Sequence, residues 1–204
     1  MTLPSFDEEH LMKVLGSLTW QQQLMFGAVC CERLLPNYLA FQMVFPERAN
    51  IEPVRCALDS VWAVLQGENI PLTTIQQLND ECEAVAPDSD EFPSNYTTTL
   101  AQDACFSVCC LLDFIRTADV ERMTQVARYA IDSVDLYVGF IENIHRTTPE
   151  TEQKILSHPL MQRELRQQKT DIEVVQQAVL LDGASINQLR HSWNNDGKSN
   201  LDLP

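Results

Sequence analysis

Glu32, Arg33, Asn37 and Tyr38 stand inside a stretch, Thr19 to Phe41, that is otherwise patterned as a buried helix. A carboxylate, a guanidinium, an amide and a phenol so close together could hold a small polar ligand, the guanidinium taking an anionic group and the carboxylate a proton. Asp59 and Asp103 sit in similarly apolar runs and complete the set. Buried charges must be paired or they are very costly, so these residues need partners. Two readings follow. Either Arg33 pairs with Asp59 or Asp103, and Tyr38 bonds a neighbouring carboxylate, in a network that fixes helix register, or Glu32, Arg33, Asp59 and Asp103 line a pocket for a small polar ligand. The register reading is preferred, with Arg55 competing for Asp59 at helical i,i+4 spacing.

Other constellations do not assemble. Glu142 and His145 have the Glu-x-x-His spacing of di-iron bundles, but no second copy accompanies them, and the heptad around them puts Ile141 and Ile144 on the seam. Asp132 and Asp135 fall on the outer surface in the same register. Cys105 and Cys109 lie one turn apart without the further ligands a tetrahedral zinc site requires. Cys30 and Cys31, like Cys109 and Cys110, are adjacent, so their side chains diverge by about 100° on a helix. His10, His145, His158 and His191 occupy polar surroundings, and with 6 glycines in the chain a phosphate-cradling loop is not formed in its usual shape. No catalytic, cofactor-binding or metal-binding residue is assigned, and no cofactor is expected.

The elements that must position these residues are helical almost throughout. Ser5 with Glu8 reads as a capping box opening a short helix that ends near Gly16. A longer helix runs from about Leu18 to Leu35, where Pro36 interrupts it or begins another turn through Phe41. Pro53 opens a third helix ended by Gly67, and a fourth spans about Leu72 to Ala86. Pro87 to Pro93 is a turn-rich acidic loop. Leu100 to Ile115 is apolar nearly all round, as a core helix is. After Asp119, a heptad of Val120, Met123, Ala127, Ala130, Val134, Tyr137, Ile141 and Ile144 marks a long helix. Thr148 caps the next start, and a final long helix follows His158-Pro159 toward Leu181 with a thinner seam of Met161, Leu165, Gln168, Ile172, Val175 and Val179. Gly183 ends it, Ser185 to Trp193 adds a short helix, and the tail is polar. The expectation is an all-α, single-domain bundle of about seven to eight helices over residues 1–193, with no significant β-sheet and a disordered tail at 194–204.

Size and charge narrow the class. A chain of 204 residues can bury roughly 70% of its unfolded surface around one core. No apolar stretch approaches the roughly 20 residues that span a bilayer, and no leader pattern precedes the first helix, so a soluble, unprocessed protein is expected. The 7 cysteines are odd in number and lie mostly in apolar segments, which suits reduced thiols in the cytoplasm. The formal charge is −15, from 29 acidic against 14 basic residues, and such a field repels phosphate backbones and anionic lipid. Nucleic acid and membrane are excluded as partners on that ground. Six carboxylates without a basic residue mark Asp80 to Glu91 as solvated acidic surface or a dock for a basic partner.

Several ordered motifs carry a resemblance. Trp20-Gln21, Cys31-Glu32-Arg33, Pro36-Asn37-Tyr38 and Phe41, then Leu58-Asp59 with Val61-Trp62, Pro87 with Asp90 and Phe92, Asp103-Ala104-Cys105, and His158-Pro159 with Glu164 are similar to the pattern of the YjaG-like family of bacterial proteins, a domain of unknown function. The likeness covers the chain to about Leu181. It departs where the family tends to have Tyr-Pro and this chain has Thr99-Leu100. The resemblance implies an all-helical cytoplasmic protein and carries no activity.

The function expected from these readings is that of a non-catalytic protein-interaction module, acting through the acidic surface or the last long helix. That helix, with Gln168 in its seam, also leaves room for a homodimer. The alternative is a small-molecule binding protein or enzyme built on Glu32, Arg33, Asp59 and Asp103.

Overall fold

The computed structural model describes residues 5–92, 96–177, 183–193 and 195–204. They form nine helices: α1 (Glu8–Gly16), α2 (Trp20–Val44), α3 (Glu52–Leu65), α4 (Leu72–Ala84), α5 (Tyr96–Thr117), α6 (Glu121–Ile141), α7 (Pro149–Ser157), α8 (Pro159–Gln177) and α9 (Gly183–Arg190). No strand occurs among the described residues. The fold is therefore all-α, as its periodicity dictates.

Local chemistry explains most boundaries. The N-cap of α1 is Asp7, whose side chain accepts from His10 N, so Ser5 does not cap it: Asp7 lies closer to the first turn and brings a full charge to the helix N-terminus. Thr19 and Gln22 make a reciprocal capping box for α2. Pro53 occupies the first turn of α3, and Gly67, at φ +94°, supplies the left-handed turn that follows it. Asp119 Oδ1 accepts from Glu121 N at 3.1 Å at the start of α6, and Thr148 and Thr151 box the start of α7. Gly183 opens α9 instead of ending α8. Val179 and Leu181 of the expected last seam lie outside the described residues, as does Asn194.

Pro36 does not end α2, which continues through Val44. Proline in mid-helix removes a backbone donor and tilts the preceding carbonyls outward. One of these is used: Arg33 O accepts from Asn200 N at 3.0 Å. The tail from Asn195 to Pro204 thereby folds onto the bundle, with Ser199, Asn200 and Leu201 buried. The expected disorder is corrected here, because its polar residues bond to backbone groups that the bundle exposes.

At the centre, α2, α5 and α6 pack on one another. Gly27 lets them close: a Cβ there would lie 2.5 Å from Leu111 Cδ2 and 2.6 Å from Met123 Sδ. Around them α3 and α4 cover one side, α8 lies against α2 and α6, and α1 rests on α6. The segment α5 is long and apolar enough to cross a bilayer, contrary to the sequence expectation, but 72% of its most apolar window is buried inside the protein. Its role in this fold is that of the core helix. In α6 the heptad residues Met123, Ala127, Ala130 and Val134 are buried, but the helix ends at Ile141, which is exposed.

Candidate functional site

Adjacent residues on a helix point about 100° apart, and this divides the polar set of α2. Arg33 turns inward and is 1% exposed. Its Nε and Nη2 reach Glu164 at 2.9–3.2 Å, and its Nη1 reaches Asp171 Oδ2 at 2.7 Å, both partners lying on α8. Arg33 also donates to Val29 O and to Cys30 Sγ. The expected pairing with Asp59 or Asp103 is thus corrected: α8, not α3 or α5, supplies the counter-charges.

One guanidinium faces two enclosed carboxylates. Burial raises both, and at Glu164 it is outweighed by the charge of Arg33 and by hydrogen bonds from Arg33, Gln168 and Asn200, leaving its pKa below the ordinary value. At Asp171 burial prevails and the pKa is raised. The rest of the network is amide. Gln168 Nε2 donates to Glu164 and to Ala127 O, each at 3.0 Å. Asn200 Nδ2 reaches Ala130 O and Glu164 Oε2, while Asn37 Nδ2 donates to Asn200 Oδ1 at 3.2 Å. Gln168, expected to set register between two copies, is buried within one. The three main cavities of the described surface are not lined by Arg33.

Tyr38 is a second internal fastener. Its hydroxyl donates to Val85 O at 2.9 Å and accepts from Asn50 N at 3.3 Å, joining α2 to the end of α4. The expected bond to a carboxylate is replaced by these two backbone groups. Asp103, 7% exposed on α5, accepts from Ser133 Oγ of α6 at 2.8 Å. Burial pushes its pKa up to about 7, opposed by the Ser133 hydrogen bond and reinforced by Asp132.

Glu32 turns outward, to a different set. Arg55 clasps it with both terminal nitrogens at 2.8 and 2.9 Å, Trp62 Nε1 donates at 2.7 Å, and Arg190 Nε lies at 3.2 Å. Asp59 bridges the same two arginines, at 2.7 Å from Arg55 and in direct contact with Arg190. This cluster ties α2, α3 and α9, and Glu32, Arg55 and Arg190 form one wall of an open cavity of about 420 Å³. Of the six residues read as one site, Glu32 and Asp59 share one cluster, Arg33 and Asn37 share the buried network through Asn200, and Tyr38 and Asp103 stand apart. Arg190, Trp193 and Lys198, which line or rim this cavity, were missed because nothing in the sequence marks a short polar helix and tail as returning to α2.

A larger groove of about 960 Å³ lies where α5 begins and α6 ends. Phe92, Tyr96, Phe140, Ile141 and Ile144 supply its apolar walls, with Tyr96 and Phe140 stacked at 4.3 Å and Phe140 56% exposed. Asp135, His145 and Arg146 also line it and make no ion pair among the described residues. The Glu-x-x-His spacing fails structurally: Glu142 lies past the helix end, Asn143 is left-handed at φ +52°, and Glu142 pairs with Lys154 at 2.5 Å. No group of three His, Cys, Asp or Glu suited to a metal occurs among the described residues. All seven cysteines are free, and burial raises the thiols of Cys30, Cys31 and Cys110, which leaves them poor nucleophiles.

Comparison with known proteins agrees with this fold. Residues 10–203 match the family model described as "Protein of unknown function (DUF416)". The match includes the tail, beyond the Leu181 limit of the sequence resemblance. A crystal structure of a DUF416 family protein from Shewanella baltica superposes with a TM-score of 0.83 at 23% identity, covering 94% of this chain and 97% of that one. An uncharacterised protein of Haemophilus influenzae is 25% identical over 123 residues, 60% of this chain. The chain spans 62% of that relative's length.

Proposed function

This chain belongs to the DUF416 family, whose function is unknown, and on that premise we propose that it is a non-catalytic protein-interaction module. The YjaG-like grouping suggested by its ordered motifs is part of the same proposal. The observation that carries it is the aromatic groove between α5 and α6, where Phe140 and Ile141 stay exposed around a concavity of about 960 Å³ while Arg33, Glu32 and Asp103 are engaged in internal bonds. Exposed apolar groups concentrated at one concavity are a mark of partner binding. The occupant that fits is an apolar or aromatic side chain presented by another protein, seated against Phe140 and Tyr96.

Photo-crosslinking tests this. With a benzophenone side chain at position 140, a discrete adduct to one other protein is expected in cells. That partner, purified, should form a stoichiometric complex weakened about tenfold or more by Phe140→Asp, a loss of about 1.4 kcal/mol. Crosslinks no stronger than from an exposed control position such as Gln77, or crosslinks to a second copy alone, would refute the proposal. A second reading, a small-molecule site, is favoured by one observation: Glu32, Arg55 and Arg190 stand on the wall of an open cavity. It applies there and not at Arg33 or Asp103, which are enclosed.

A further inference from the structure

The cavity between α2, α9 and the C-terminal turn combines an apolar surface with an indole and several cations. Its floor is apolar, made by Leu35, Pro36 and Leu39. Opposite stand the indole of Trp193, the guanidinium groups of Arg55 and Arg190, the imidazole of His191 and the ammonium of Lys198. The chain carries a formal charge of −15, so three cations around one opening are a local reversal of sign.

The charges do not cancel within the cluster. Arg55 and Arg190 are balanced by Glu32 and Asp59, which they clasp. Lys198 is extra: its ammonium makes no salt bridge among the described residues, and Nη1 of Arg190 makes no hydrogen bond among them. Asp202, whose pKa Lys198 helps to lower, is already held by Arg163 and Asn195. Trp193 is fixed by donating its Nε1–H to Lys198 O at 2.8 Å, which sets ring and ammonium on one turn. The indole is thus anchored on the turn from which the Lys198 side chain departs.

From this arrangement we infer that the cavity binds an organic acid: a carboxylate attached to a flat or branched apolar body. The body rests on Leu35 and Leu39 against Trp193, and the carboxylate meets Lys198 Nζ and Arg190 Nη1. A volume of about 420 Å³ is in the range of small-molecule sites, whose usual composition is an apolar lining with a few placed polar groups. Glu32 serves as a positioning residue: it holds both guanidinium groups at the wall, and its own charge disfavours ligands with several negative groups. The inference deepens the small-molecule reading of this wall and is independent of the groove at Phe140.

Naphthalene-2-carboxylate, its neutral carboxamide and acetate serve as probes, with the Trp193 indole N–H and the Leu35 and Leu39 methyl groups followed by NMR during titration. The carboxylate is expected to saturate at millimolar concentration or below and to shift those three signals. The carboxamide and acetate should each bind about tenfold or more weakly, and added salt should weaken the carboxylate alone. Lys198→Glu, at an exposed position that holds no helix in place, should cost about tenfold in affinity; Arg190→Gln, checked for an unchanged amide spectrum, should do likewise. Equal binding of acid and amide at Trp193 would overturn the organic-acid inference while keeping a small-molecule site. Absence of any shift with either aromatic probe would overturn both, and shifts confined to Tyr96 and Phe140 would place binding in the other groove and sink the inference.

Discussion

Replacing Asp103 by asparagine should remove a pH dependence of stability that the fold builds in. Asp103 is 7% exposed, with the Ser133 hydroxyl as its hydrogen-bond donor and Asp132 and Tyr129 as the titratable neighbours on α6. Its folded pKa, pushed up to about 7 by burial, exceeds the unfolded value of about 3.9. Between those values the folded state binds more protons than the unfolded one, so stability is fully present below about pH 4, falls as pH rises to about 7, and is flat above. Three pK units correspond to about 4 kcal/mol across the full range, and the part between about pH 5 and pH 8 is about 2.5 kcal/mol. The amide oxygen of the substituted side chain can still accept from Ser133, but the group cannot ionise. Urea unfolding of both proteins at several pH values should therefore show Asp103→Asn gaining about 2.5 kcal/mol on the parent between those limits. In thermal melts that is roughly 5–10 °C for a chain of this size. The comparison subtracts every other titrating group that is not coupled to Asp103. A difference between the two proteins that stays constant within about 0.5 kcal/mol over that interval would refute the reasoning.

Two further perturbations probe the interior. Arg33→Met leaves Glu164 and Asp171 enclosed without a counter-charge and should cost about 3–5 kcal/mol in chemical denaturation, with part regained when Glu164→Gln and Asp171→Asn are added; a loss below about 1 kcal/mol would mean that water reaches the pair. Asn200→Ala removes the bonds to Ala130 O and Glu164 and strands the Asn37 amide, so about 1–3 kcal/mol should be lost, with amide hydrogen exchange rising in the tail and at its contact near Pro36.

The helices were legible because their periodicity, caps and prolines are local signals. The partner of Arg33 was not, and the reason lies in α8. Apolar spacing assigns its seam to Met161, Leu165, Gln168, Ile172 and Val175. The stripe that is buried is Met161, Glu164, Gln168, Asp171 and Val175, at spacings of three and four. The period is right, but polar residues occupy its middle, so a search for apolar residues selects the neighbouring face, with Leu165 and Ile172 half-buried. A usable signal existed: an arginine inside an apolar helix demands carboxylates on one face of another helix, and Glu164 and Asp171, seven residues apart, are such a pair. For the tail no signal exists. Asn200 is buried because Arg33 O, just before a proline in α2, and Ala130 O in the middle of α6 both accept from it, and that is decided by tertiary packing.

The motif Cys31-Glu32-Arg33 looks like one site and works as two. Arg33 faces α8 and closes the bundle; Glu32, next to it, faces α3 and α9 and shapes an open wall. Since both hang on the same turn of α2, just before Pro36, the backbone that positions the wall is held by the network behind it. Arg33 substitutions should therefore disturb the cavity through α2 without touching any ligand, whereas Lys198, on the far rim, should affect binding without affecting stability. Asp59, half-exposed beside Arg55 and Arg190, belongs to neither extreme: it balances charge at the wall but lines no part of the cavity. A substitution series ordered by distance from Arg33, and not by position in the chain, is what separates a structural clasp from a binding residue in this protein.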